Sequence, residues 1–194
     1  VYDIYGTCLI RESVTLKADV SGTDVANIMV DCLKKYSDSV SDKKILGVAI
    51  ALPGPYIKKD GKIIVTTGRS QWTEDDIEVR LRKSLGEKVF LEHDANAAMM
   101  AEWNLLRKQE EVENMLYVML GHGVGGGIIE NGKMLTGALG IAGEMGHMSI
   151  SYNGRKCECG NYGCLETYCT IEAMLADLKE LLPKYPDSIC TEKS

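Results

Sequence analysis

The 194-residue chain contains no run of eighteen apolar residues, so no membrane-spanning helix is expected. It does not open on a basic stretch followed by an apolar core, the pattern of a secretory signal. No unit of about 20 to 50 residues repeats, which argues against a solenoid or propeller. Positive charge is not in excess. There are 22 Lys and Arg against 28 Asp and Glu, giving a net charge of −6 and a pI near 5.2. A surface for duplex DNA needs the opposite sign, so DNA contacts are not expected from these residues. An even, dispersed cysteine set is missing as well. Seven cysteines occur, and Cys157, Cys159 and Cys164 crowd into one short stretch. That pattern fits a metal site in a reducing cytoplasm better than a secreted disulfide framework. Val1 is not a natural first residue, so the chain is expected to be a piece of something longer.

What is present reads as an ordinary globular α/β chain, 45% apolar and 26% charged. Its length suits one domain, or one and a part. A strand hairpin of Val1–Tyr5 and Cys8–Leu16 is expected around Gly6-Thr7. A helix from Asp24 to Tyr36 follows, with Val25, Ile28, Met29, Cys32, Leu33 and Tyr36 on one face. Residues 37–44 read as a loop, and Ile45–Leu52 as a strand buried on both faces and ended by Pro53-Gly54-Pro55. Lys62–Thr67 is a short strand, and Thr73 precedes a helix containing Ile77, Leu81 and Leu85. Lys88–Leu91 is another strand. Asp94 then caps a helix to Gln109, with Ala95, Met99, Trp103 and Leu106 inward. Arg107–Glu113 is a connector, Met115–Leu120 a buried strand, and 121–127 a glycine loop. Asn131-Gly132 is the turn of a hairpin joining Gly127–Glu130 to Lys133–Leu135. Ile171–Leu182 is a helix stopped by Pro183. Trp72, Trp103 and Cys169 read as core, and Cys8, Cys32 and Cys190 as structural.

The spacing Cys157-x-Cys159-x4-Cys164 carries the clearest chemistry. Gly160 and Gly163 let the backbone turn tightly enough for three thiolates to face one point. Zinc takes four tetrahedral nitrogen or sulfur ligands in a closed structural site. His147, ten residues upstream, is the candidate for the fourth. Such a site would tie a glycine-rich loop with little core of its own to the strand near Met148. The alternative is three free thiols; the spacing, the glycines and the nearby histidine favour the metal.

Four further stretches stand in order with this cluster: Leu52-Pro53-Gly54-Pro55, His93-Asp94-Ala-Asn-Ala-Ala, Gly121-His122-Gly123-Val124-Gly125-Gly126-Gly127, and Gly137-x5-Gly143-Glu144-Met-Gly-His147. With Cys157-x-Cys159-Gly-x-x-Gly-Cys164-Leu-Glu166 they resemble the signature of the ROK (repressor, ORF, kinase) family over about residues 45–170. The resemblance implies an actin-like (ribonuclease H-like) sugar-kinase fold, here as an incomplete fragment of a two-domain α/β protein. Residues 1–113 would be a small N-terminal domain lacking its first strand. Residues 114–194 would begin the second domain. Sugar would lie in the cleft between domains, contacted by Gly54, His93, Asp94, Glu144, His147 and Glu166. Carboxylates and an imidazole at fixed positions can read the stereochemistry of hydroxyls. His147 could bind zinc through one ring nitrogen and sugar through the other. The resemblance also implies a homodimer.

The family holds both sugar kinases and sugar-responsive repressors. A kinase needs a base for the hydroxyl and a loop for ATP phosphates and Mg2+. Asp94 stands where the family's catalytic Asp stands, although a helix N-cap explains it equally. Three departures point away from a kinase. His93 replaces an Asn. His122 replaces the small hydroxyl residue of the glycine loop formed by Gly121, Gly123, Gly125 and Gly126, crowding a phosphate. The Asp-x-Gly-Gly-Thr phosphate strand is not found, since Asp3-Ile-Tyr-Gly-Thr7 carries Tyr5 in place of a glycine. The expectation is therefore a sugar-sensing effector domain of a ROK transcriptional regulator with a vestigial phosphate loop. Its DNA-binding helix-turn-helix would lie upstream. The runner-up is an ATP-dependent sugar kinase fragment, and the third option a zinc-stabilised module without a ligand.

Overall fold

The structure, a computed structural model, describes residues 1–17, 19–39, 44–54, 58–59, 62–63, 77–85 and 88–190. Pro55, the 64–67 end of the expected strand, Trp72 and the expected helix start at Thr73 lie outside the described residues. Two compact units form. One comprises Val1–Leu52 with Tyr56–Glu92, and the other Pro53–Pro55 with His93–Ser194.

The first unit begins with a short hairpin around an Asp3 turn: Asp3 N–H donates to Thr7 O at 3.1 Å and Leu9 N–H to Val1 O at 2.9 Å, while the expected extension to Leu16 is not strand. The Asp3 carboxylate accepts from the backbone N–H groups of Tyr5 at 2.9 Å and Thr7 at 2.8 Å. A single bridge joins Tyr2 to Cys8. The apolar side chains Tyr2, Ile4, Tyr5, Leu9 and Val14 are exposed, so no buried face pins a longer register. Helix α1 (Gly22–Ser39) outruns its expected span at both ends. Ser21 Oγ accepts from the backbone N–H of Asp24 at 3.1 Å, satisfying one of the orphan donors of the first turn.

Strand β1 (Val48–Leu52) pairs with β4 (Val89–His93). Between them in sequence lie the hairpin β2 (Lys58–Lys59) and β3 (Lys62–Ile63) and helix α2 (Ile77–Leu85). The core joins Val25, Ala26 and Val30 of α1 to Ile50, Leu52, Leu81, Val89 and Leu91. The expectation that β1 is buried on both faces is not met: Ala49 and Ala51 are exposed, as are Ile45 and Leu46 upstream. Among the described residues β1 has one neighbouring strand and one covered face, so it alternates like a surface strand.

In the second unit, helix α3 (Asp94–Leu106) lies on an antiparallel sheet of β5 (Met115–Leu120), β6 (Val124–Glu130) and β7 (Lys133–Met134). Met99 and Trp103 of α3 bury against Ile129. Trp103 Nε1 donates to Val112 O at 2.9 Å, which fixes the connector after the helix. Leu106, expected inward, is 42% exposed because the helix ends there. Strand β5 buries one face only, leaving Leu116, Val118 and Leu120 exposed. Asn131 (φ 48) and Gly132 (φ 72) make the expected turn, with Glu130 opposite Lys133.

The glycine loop is shorter than expected. Only 121–123 turn, and Gly125, Gly126 and Gly127 are strand residues opposite Met119, Val118 and Tyr117. They are glycines because other parts of the unit come close. A Cβ on Gly125 would sit 3.0 Å from Ala95, and one on Gly127 would sit 2.6 Å from Met99 Sδ. A short helical turn (Met145–His147) presses Met145 against Gly126, whose Cβ would also lie 2.8 Å from the backbone oxygen of Tyr117. After the Cys-rich loop come α4 (Glu166–Cys169) and α5 (Ile171–Leu181). Thr170 caps α5 by accepting from the N–H of Ala173 at 3.1 Å. Pro183 falls in a terminal 3-10 turn, Leu182–Lys184. Cys169 is half-buried, while Cys8 and Cys190 are exposed and hold no core together.

Since backbone at Tyr117 cannot move cheaply, Gly126→Ala is expected to cost about 1–3 kcal/mol. Urea unfolding checks this through a lowered midpoint at unchanged slope.

Candidate functional site

The Cys-rich loop is shaped by its own backbone. Cys157 N–H donates to Asn161 O at 2.8 Å, and Gly160 N–H closes a turn on Cys157 O at 3.0 Å. Gly160 (φ +92) and Gly163 (φ +70) occupy the left-handed region that a β-carbon disfavours. The loop is laced to the segment after His147: Leu165 N–H donates to Met148 O at 2.9 Å, and Ile150 N–H to Gly163 O at 2.8 Å.

These bonds bring His147, Cys157, Cys159 and Cys164 together, with all ligand atoms within 4.8 Å of one another. His147 Nδ1 lies 3.7 Å from Cys157 Sγ, and Cys159 Sγ lies 3.7 Å from Cys164 Sγ. A tetrahedral ion with bonds of about 2.3 Å to sulfur places its ligand atoms about 3.8 Å apart. The donor set and its spacing therefore fit a four-coordinate metal ion. Burial pushes the Cys164 thiol up to about 12, with the Cys159 and Cys157 thiols adding to the effect. Burial also raises Cys157. Burial opposes ionisation at Cys159 too, but the N–H of Asn161 and the neighbouring thiols hold it below the usual thiol value. A divalent cation would supply the charge that lets all three ionise.

A second cluster adjoins the first. His93 ends β4, and its buried ring lies where a β-carbon on Gly54 would be, so glycine is required there. His93 Nε2 is 3.3 Å from Asp94 Oδ1, and His93 Nδ1 is 3.8 Å from Glu144 Oε1. Asp94 is the first residue of α3 rather than its cap; His93 holds the cap position, and Asp94 Oδ1 accepts from the N–H of Ala95 at 2.8 Å. Glu144 is joined to His147 by a backbone hydrogen bond of 3.1 Å. Its carboxyl is 17% exposed and is pushed up to about 7, first by burial and then by the charges of Glu166 and Asp94. Glu166, two residues after Cys164, accepts from Val124 N–H at 3.0 Å through Oε2. Gly54, His93, Asp94, Glu144, His147 and Glu166 thus share one region of the second unit. Three carboxyls and two imidazoles there can accept from, and donate to, a polyhydroxylated ligand.

Of the glycine loop, Gly121, His122 and Gly123 form the turn. His122 Nδ1 lies 2.5 Å from Glu172 Oε1. The sequence reading missed this pair, and no local signal links residues fifty positions apart. It also missed Arg155. That residue stacks on Tyr168, donates to Thr167 O at 3.0 Å and pairs with Asp177 at 2.5 Å, clamping the Cys-rich loop to α5.

With this geometry in view, the relatives fall into place. The ROK family's sequence profile matches residues 3–193. The xylose repressor of Bacillus subtilis is 34% identical over 96% of this chain and 49% of its own length. The glucokinase of Thermotoga maritima is 33% identical over 90% of this chain and 56% of its own. A solved ROK family transcriptional regulator, a homologue of the E. coli MLC protein, superposes with a TM-score of 0.71 at 27% identity, covering 86% of this chain and 42% of that one. The chain belongs to the ROK family and has its actin-like α/β fold. It spans about half the length of the curated relatives it matches, 49% of one and 56% of the other.

A carboxyl held above its unfolded value of about 4.3 costs stability as pH rises toward and through its folded value. For Glu144 that window runs up to about 7. Glu144→Gln is therefore expected to raise Tm more at pH 8 than at pH 5.5, and equal shifts at both would refute the assignment.

Proposed function

We propose that this chain is the sugar-sensing effector part of a ROK-family transcriptional regulator. A structural zinc ion would sit on His147, Cys157, Cys159 and Cys164. A sugar would bind through Gly54, His93, Asp94, Glu144, His147 and Glu166. With Nδ1 of His147 3.7 Å from the Cys157 thiol, Nε2 is left for a sugar hydroxyl. Zinc then orients a recognition residue and needs no redox or catalytic role.

The observation that carries the choice of sensor over kinase is the state of the glycine turn. His122 is bulky and paired with Glu172, and the carboxylate of Glu166 already holds the N–H of Val124. A nucleotide's phosphates need donors and positive charge at such a turn, and here two carboxylates flank it. The likeness to xylose repressors supports the same reading. Under it, DNA is contacted by residues outside this acidic chain, the protein works in the cytoplasm as a homodimer, and the sugar is a neutral pentose or hexose.

An ATP-dependent sugar kinase is the second reading. Two observations favour it: Asp94, 39% exposed beside the carboxyl cluster, is placed to take a hydroxyl proton, and glucokinase likeness reaches 33% identity. Mg2+ and ATP would then be required.

Elemental analysis is expected to find about one zinc per chain, with Cys159→Ser lowering both zinc content and Tm; metal-free, equally stable protein would remove the zinc assignment. Calorimetry with D-xylose, D-glucose and N-acetylated hexosamines is expected to give heat with at least one sugar, weakened about tenfold or more by Glu144→Ala. Heat with none would favour a zinc-stabilised module that binds no sugar. In the natural full-length protein, ATP-dependent sugar phosphorylation that is lost on Asp94→Asn would replace the sensor reading with the kinase one.

A further inference from the structure

The turn between β5 and β6 is held from one short segment. Val124 N–H donates to Glu166 Oε2 at 3.0 Å. Ile171 N–H donates to Gly121 O at 3.0 Å, and His122 Nδ1 lies 2.5 Å from Glu172 Oε1. Inside the turn Gly121 N–H donates to Gly123 O at 3.0 Å. A β-carbon on Gly123 would come within 3.2 Å of Glu166 Oε2, so glycine lets the carboxylate approach. The turn is liganded by the protein itself: a carboxylate from α4 on one side and the first turn of α5 on the other.

Glu166 has a second role in the same place. Gly146, between Glu144 and His147, packs on the same Val124, since a β-carbon there would come within 2.1 Å of Val124 O, so the turn that carries Glu144 rests on the residue that Glu166 holds. A carboxylate offers about four acceptor sites, and one backbone N–H uses only one of them. We propose that Glu166, besides contacting the sugar, couples the carbohydrate pocket to α5. A sugar hydroxyl donating to this carboxylate reorients it, the bond to Val124 adjusts, and the turn carries the change through Gly121 and His122 to Ile171 and Glu172. The ligand in this scheme rests on the sugar-pocket reading above, whereas the linkage itself is present without ligand. A ligand that strengthens or weakens this short tie of three hydrogen-bonded contacts would thereby bias the position of helix α5.

Amide hydrogen exchange on the whole chain tests both parts. Without sugar, Glu166→Ala is expected to speed exchange about tenfold at Val124 and measurably at Ile171, while Glu166→Gln, which keeps an acceptor oxygen, restores wild-type rates. Glu172→Gln is expected to speed exchange at Ile171 while leaving sugar affinity within about twofold. Faster exchange at Val124 with none at Ile171 would overturn the coupling, as would a Glu166→Gln that fails to rescue. If Glu166→Ala does not fold by circular dichroism, the Glu172→Gln arm decides the linkage. With D-xylose or D-glucose, whichever gives heat, exchange is expected to change at both 121–125 and 171–174. Heat with no change in either stretch would overturn the coupling and leave the sensor reading standing. Heat with neither sugar counts against the sensor reading, and the sugar-free arm still decides the tie.

Discussion

The convergence of one imidazole nitrogen and three sulfurs is the constraint on which the surface from Gly146 to Cys169 depends. The apolar side chains Met148, Ile150, Tyr152 and Tyr162 along this stretch are exposed, and its buried positions are Gly146, Cys157, Gly163 and Cys164. Hydrophobic burial therefore supplies little of its order. Backbone bonds trace the loop, and a metal ion would lock it. Without a cation, buried thiols in mutual contact hold their protons and gain nothing from proximity. The same four side chains are bracketed by two carboxyls: Glu144 stands three residues before His147, and Glu166 two residues after Cys164. Whatever fixes the four ligands also fixes the spacing of those two carboxyls.

Burying several acids in one region is costly, and the chain meets that cost unevenly. Burial pushes Glu144 up to about 7, whereas Glu166 turns one oxygen to a backbone N–H. His93 lies between Asp94 and Glu144 and offers nitrogen to each. The glycines of β6 serve the arrangement at one remove. By admitting Met145 and Met99 against the strand, they bring the turn that carries Glu144 and His147 down onto the sheet.

The parts of the fold legible in the sequence were those set by local rules. Asn131-Gly132 takes φ values that few other pairs accept, so the hairpin could be read directly. The Cys-x-Cys-x4-Cys spacing with two glycines admits few geometries other than a shared centre. Ala95, Met99 and Trp103 fall on one helical stripe, and they are buried. Where local rules were silent the reading strayed. Val1–Leu16 carries strand-forming residues, but among the described residues its pairing stops at Ile10, leaving a short hairpin around an Asp3 turn. The glycine run 121–127 looked like a loop because glycine disfavours strands; packing against Met99 and Met145 demands glycine in a strand instead.

By itself the sequence determined the family and singled out His147, Cys157, Cys159 and Cys164 as one cluster, because each rests on residue type and spacing along the chain. Tertiary structure alone decided which of those residues touch, which carboxyl keeps its proton, and that His122 answers to Glu172 while Glu166 holds the turn. Those outcomes depend on distance and burial, and two groups fifty residues apart have neither until the chain has folded.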